Sequence, residues 1–267
     1  MHLHYQRYPD TDIDNSSDPR PPLLIIPGLF GSTANWRSVA RSLGENYPVW
    51  VIDQRNHGRS PHADSNTYTD MCSDLLKFLD QHSLSQIVLC GHSMGGKVAM
   101  LFSLSHPDRV AGLVVLDIAP VVYKHSHAPF LEELMRIDLS SLKSRSEADR
   151  ALQMAIPDTG TRLFLLQNLT GSAGQYRWRI NLPVLHQYMK DITGFPSKLI
   201  ENLKYENATI FFDGEHSDYL QASHHPLIVK LFAHARFASI ANAGHWLHAE
   251  QPEAVVSAIG TFLGELN

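Results

Sequence analysis

The stretch "CGHSMGG", residues 90–96, sets Ser93 between Gly91 and Gly95, directly after the apolar run "QIVL" and directly before "KVAMLFSLSH". A chain that leaves a strand and enters a helix within a few residues needs glycine on both sides of the turn, because a side chain there would collide with neighbouring backbone. The serine at the tip is pushed outward on a strained backbone, and such strain persists mainly where a site needs one side chain aimed in one direction. Alone the pattern is weak: glycine and serine are common, so G-x-S-x-G arises by chance in about one chain of this length in ten. Its position between an apolar run and a helical one separates a candidate nucleophile elbow from an ordinary glycine-rich turn.

On both sides of the elbow the chain alternates between two kinds of segment. Short apolar runs at 23–27 (LLIIP), 49–53 (VWVID), 86–90 (QIVLC), 113–119 (LVVLDIA), 208–212 (ATIFF) and 237–241 (FASIA) read as buried strands. Between them lie helical spacings: Trp36, Val39, Ala40 and Leu43; Tyr68, Met71, Cys72, Leu75 and Leu79; and Leu227, Ile228, Leu231 and Phe232. The terminal "PEAVVSAIGTFLGEL" reads as a closing amphipathic helix with Pro252 at its start. This alternation predicts an α/β fold, a mostly parallel sheet covered by helices on both faces. From 121 to 205 the rhythm breaks into helical pieces, "FLEELMRIDL", "RLFLLQNL" and "PVLHQYM", with no convincing strand. Residues 1–120 and 206–267 are therefore expected to form the core, and 121–205 a helical lid inserted after one strand. Its apolar residues Leu131, Leu134, Met135, Leu163, Phe164, Leu165 and Trp178 are expected to roof part of an acyl site and to favour short to medium chains.

Composition narrows the functions. With 267 residues, 43% of them hydrophobic, the chain can bury a large core. A net charge of −5 with no block of like charges offers no footprint for nucleic acid or an anionic membrane, leaving a small molecule as the expected partner. The first 22 residues lack a basic segment followed by an apolar one, and no apolar run approaches the ~18 residues needed to span a bilayer, so a cytoplasmic protein is expected, a monomer or weak dimer. Cys72 and Cys90 read as reduced buried thiols, Cys90 in surroundings too apolar for a nucleophile. Sixteen histidines raise the question of metal, but no ligand spacing accompanies them; the pairs His125/His127 and His224/His225 read as solvated surface, and no metal or cofactor is expected.

In a parallel sheet the carboxyl ends of all strands share one edge, so residues just beyond those ends converge. Four such ends carry chemistry. They supply Ser93; Asp117; Asp213, Glu215, Ser217 and Asp218; and His245. The chain order serine, acid, histidine is the one expected of this architecture. His245 follows a glycine in the loop after the last strand and is preferred to His248, which starts into the closing helix. The imidazole would take the serine proton, and the acid would fix its tautomer. An oxyanion hole needs two backbone N–H groups: Met94, after the nucleophile, offers one, and Leu29 in "PGLFGS", with Phe30 as its neighbouring alternative, offers the other. Phe30 and Trp178 are candidates for substrate contact. Arg55, Asn56 and His57 in "DQRNHGRSP" read as loop-satisfying residues.

Along nearly its whole length the chain resembles the α/β hydrolases, and among them the YbfF-type esterases, through "GLFGS" at 28–32, "DQRNHGRSP" at 53–61, "GHSMGGK" at 91–97, "LDIAP" at 116–120, "YRWRINLPVL" at 176–185 and "AGHWLHAE" at 243–250. One departure is Pro27, where relatives usually carry histidine; it leaves the N–H donors of the loop intact. The resemblance implies an esterase or acyl-CoA thioesterase that uses serine and no cofactor. It also bears on the acid. Most of the superfamily carries it three positions after the glycine that ends the penultimate strand, which here is Ser217. The resembling branch implies Asp117 instead, with Ser217 as an accessory hydrogen-bonding group and Asp218 as the competing choice. Carbon–carbon bond hydrolysis on the same triad, or a ligand sensor without turnover, are the alternative functions.

Overall fold

The computed structural model describes residues 1–9 and 20–266. Residues 10–19, within the first 22 read for a leader, lie outside the described residues. Seven strands form the main sheet in the order β1-β3-β2-β4-β5-β8-β9. They are β1 (Tyr5–Tyr8), β2 (Leu23–Ile26), β3 (Val49–Ile52), β4 (Ile87–His92), β5 (Val110–Leu116), β8 (Ala208–Gly214) and β9 (Ala235–Ile240). All pairings are parallel except β1 with β3. The six expected strands are all present. The additional one, β1, is a four-residue edge strand, YQRY, whose half-exposed side chains carry no apolar run.

Adjacent residues of β2 divide between two layers, as the twofold period of a strand requires. Leu24 and Ile26 join Leu89 and Val115 under α2 (Tyr68–Gln81) and α3 (Met94–Ser105), which contribute Leu75, Phe78, Val98 and Phe102. Leu23 and Ile25 join Val88 and Val114 on the other face, against α1 (Arg37–Leu43) and α11 (Pro252–Glu265), which bring Val39, Leu43, Val255, Ile259 and Phe262. Strands covered on both faces can be apolar throughout, and β2, β3 and β4 are buried at every position. Two further helices, α9 (His225–Leu231) and the short α10 (Leu247–Glu250), flank β9.

Between β5 and β8 the chain builds α4 (Ala128–Arg136), α5 (Arg145–Leu152), α6 (Thr159–Leu166), α7 (Leu182–Gln187) and α8 (Met189–Thr193). Ser144 and Asp158 cap α5 and α6 by accepting from Glu147 N–H and Thr161 N–H. One feature departs from the strandless expectation: β6 (Leu169–Thr170) and β7 (Arg177–Trp178) pair antiparallel. Two residues per strand are too few to leave a period in the sequence. No described helix is long and apolar enough to cross a membrane.

Candidate active site

The turn from β4 into α3 leaves no room for side chains. A Cβ on Gly91 would lie 2.4 Å from the Gly95 carbonyl oxygen, and one on Gly95 would lie 2.2 Å from that of Ile26. Ser93 takes φ 51° and ψ −121°, a backbone that L residues avoid, and its N–H is tied to the Leu116 carbonyl at 3.0 Å.

Asp117, the first residue past β5, also holds a positive φ of 50° and donates its N–H to the Phe212 carbonyl at 2.7 Å. Its side chain is fully buried. One carboxylate oxygen accepts from Ser217 Oγ at 2.5 Å and faces His245 Nδ1 at 2.6 Å, while the other accepts from Gly214 N–H at 3.4 Å. An ionised carboxylate only accepts, so the imidazole proton sits on Nδ1. Nε2 is then left to accept from Ser93 Oγ, 3.0 Å away. Tyr219 stacks on the His245 ring with centroids 3.8 Å apart, and the His245 carbonyl accepts from His92 Nε2 at 2.7 Å. Burial lowers the basicity of His245, with His125 adding to the effect, which keeps the imidazole neutral and able to take a proton. Burial pushes Asp117 upward, opposed by the Ser217 and Gly214 hydrogen bonds.

Two cavities meet at Ser93. The first is lined by Leu29, Phe30, Phe130, Phe164, Leu165 and Trp246 together with His92, Thr161 and His245. The second is lined by Met94, Lys97, Ile118, Tyr123, His125, Ile192, Thr193 and Tyr219. Leu29 and His127 border both. Neither the Leu29 N–H nor the Met94 N–H has an acceptor among the described residues, so two donors stand unused beside the serine.

The family model for the alpha/beta hydrolase fold matches residues 21–252. The chain is 40% identical over 261 residues to an sn-1-specific diacylglycerol lipase, ABHD11, of Danio rerio, covering 94% of this chain and 81% of that protein. It is 32% identical over 246 residues to the esterase YbfF of Escherichia coli, covering 91% and 93%. A solved structure described as a marine microorganism esterase superposes with a TM-score of 0.90 at 37% identity, over 98% of this chain and 99% of that one. The chain belongs to the α/β-hydrolase family.

Within this hydrolase the competing candidates lie elsewhere. His248 is buried and stacked on Trp36 with centroids 4.3 Å apart. Asp218 is exposed, whereas Asp213 accepts from Ser239 Oγ and Glu215 from Asn242 N–H. Cys90 is buried, and its thiol is pushed upward by that burial. Arg55 pairs with Asp74 at 2.7 Å, His57 Nδ1 meets the Arg55 carbonyl, and Asn56 bridges Ala63 to Ser65. That loop is thus a hydrogen-bonded brace, as its sequence suggested.

Trp178 requires a correction as a substrate contact. It lines a separate groove with His62, Met135, Ile137 and Leu139, and neither cavity at Ser93 includes it. Pairing in β7 aims it there, and pairing of that kind was invisible in the sequence. Of the other apolar residues in this segment, Leu131 and Leu134 are buried in the main core, Met135 and Leu163 are exposed, and Phe164 and Leu165 reach the first cavity. His127 is a second correction: it is half-buried, lines both cavities and contacts the Tyr219 hydroxyl at 3.3 Å. The sequence reading also missed Lys97, Tyr123 and Tyr219. Lys97 had left a signal, as the only charged residue in the apolar helix α3.

Proposed function

We propose that this α/β hydrolase cleaves carboxylic esters, and activated thioesters by the same route, through an acyl-enzyme on Ser93. The observation that carries the reading is the unbroken chain of contacts from Ser93 Oγ through His245 to Asp117, at 3.0 and 2.6 Å. The named lipase and esterase relatives support an ester as substrate. Ser93 Oγ attacks the carbonyl carbon as its proton passes to His245 Nε2, and the buried Asp117 carboxylate stabilises the imidazolium so formed. The carbonyl oxygen becomes an oxyanion and is held by the Leu29 and Met94 N–H groups; each such donor is worth about 10²–10³ in rate in well-studied hydrolases. His245 then protonates the departing alkoxide or thiolate. Water attacks the acyl-serine by the reverse sequence, which restores the free serine.

Ser217 is assigned as an accessory donor to Asp117. The helical segment between β5 and β8 acts as a lid, supported by Phe130, Phe164 and Leu165, which reach the cavity beside the nucleophile. Pre-steady-state hydrolysis of p-nitrophenyl acetate tests the reading. A burst of p-nitrophenol stoichiometric with enzyme, absent in Ser93→Ala, supports an acyl-enzyme, and equal turnover by wild type and Ser93→Ala refutes it.

A further inference from the structure

Ser93 stands at the junction of two small cavities of similar size, so their linings rather than their size distinguish them. We infer that they divide the ester: the alcohol portion enters the aromatic cavity and the acyl portion enters the polar one, so that the enzyme selects short acyl groups on bulky apolar alcohols. This rests on Ser93 being the nucleophile and His245 the base.

The orientation follows from proton transfer. The leaving oxygen receives its proton from His245 Nε2, so the alcohol must lie on the side of Ser93 that His245 borders. His245 and Trp246 line the aromatic cavity. The polar cavity does not include His245; Tyr219, stacked on the imidazole at 3.8 Å, stands between them. The acyl carbon stays on Ser93 and its substituent points away from the base, toward Met94 and Lys97.

The polar cavity is closed by groups already committed to one another. Lys97 is buried, donates to the Thr193 and Gly194 carbonyls at 2.9 and 2.6 Å, and lies 4.7 Å from the centre of the Tyr123 ring. The Tyr123 hydroxyl donates to the Tyr219 carbonyl at 2.6 Å and accepts from Ala119 N–H at 2.8 Å. A long alkyl chain driven into this floor would break those bonds and return nothing to the polar groups it displaced. The aromatic cavity has no such floor: Phe164 and Trp246, with centroids 5.5 Å apart, are both half-buried and accept a ring or branched alkyl group at their faces.

Two substrate series separate the sides. At fixed acyl group, benzyl acetate is compared with ethyl acetate, whose alcohols differ little in acidity. At fixed alcohol, p-nitrophenyl acetate, butyrate and octanoate are compared. The expected kcat/KM favours benzyl over ethyl acetate and acetate over octanoate. In Phe164→Ala the benzyl-to-ethyl ratio should fall about three- to tenfold, while the acetate-to-octanoate ratio keeps its value. A wild-type preference for octanoate overturns the inference, as does a Phe164→Ala variant that changes the acyl-length profile and spares the alcohol preference. Hydrolysis surviving in Ser93→Ala would instead remove the underlying reading, so the two failures are distinguishable.

Discussion

The wall of the site that carries Ser93 and Asp117 is fixed by backbone, whereas the wall contributed by the segment between β5 and β8 is fixed largely by side chains. On the first, Ser93 and Asp117 hold φ values of 51° and 50°, and each is tied to the sheet through its own N–H, Ser93 to the Leu116 carbonyl and Asp117 to the Phe212 carbonyl; Phe30, in the loop after β2, holds 64°. On the second, most of the contacts are side-chain bonds to backbone: Asn168 Nδ2 donates to the Phe30 carbonyl at 2.9 Å, Tyr68 Oη to the Ile192 carbonyl at 2.6 Å, and Lys97 Nζ to the Thr193 and Gly194 carbonyls, beside a backbone pair, Asn181 N–H to the Asn56 carbonyl at 3.0 Å. Strained backbone survives only when its surroundings over-determine it, so the first wall cannot drift. The second can lose one bond at about 1 kcal/mol and keep the rest. Changes to the first wall should therefore cost rate, and changes to the second should cost stability or selectivity.

The largest expected effect is at the acid. Asp117→Asn should lower kcat by about 10⁴, the size of the corresponding change in the best-studied serine triad, because the amide leaves His245 in the wrong tautomer. Asp218→Asn, at an exposed carboxylate, should leave kcat within about twofold. Measured side by side, a severe defect in Asp218→Asn beside a nearly active Asp117→Asn would overturn the assignment. Next is Ser217→Ala, which removes one hydrogen bond to the Asp117 oxygen that faces His245. About 1 kcal/mol corresponds to near fivefold in kcat, read from steady-state kinetics.

The smallest effect on rate should come from the second wall. Asn168→Ala removes the bond to the Phe30 carbonyl and leaves that oxygen unpaired. Thermal unfolding should show a loss of about 1–3 kcal/mol, with kcat within about twofold of wild type. If kcat instead falls further than in Ser217→Ala, the two walls do not differ in the way described.

The same contrast explains what could be read in the sequence. Ser93 and His245 were legible because a glycine-flanked elbow and a strand-end loop impose local patterns, and the common edge of a parallel sheet brings such ends together from any separation. The acid was harder: four strand-end carboxylates competed, and only the resemblance to a known branch singled out Asp117. Residues of the second wall left little trace. Tyr219 reaches the His245 ring through the course of one loop, and His127 turns inward at the start of α4, neither of which has a period. Trp178 was misplaced for the same reason, since its direction depends on a strand of two residues.

Covalent labelling with a fluorophosphonate, followed by peptide mapping by mass spectrometry, tests the central claim most directly. The account predicts one stoichiometric adduct on Ser93, abolished in Ser93→Ala and strongly slowed in His245→Ala. An adduct on any other residue, or Ser93→Ala protein that still hydrolyses esters at the wild-type rate, would contradict it.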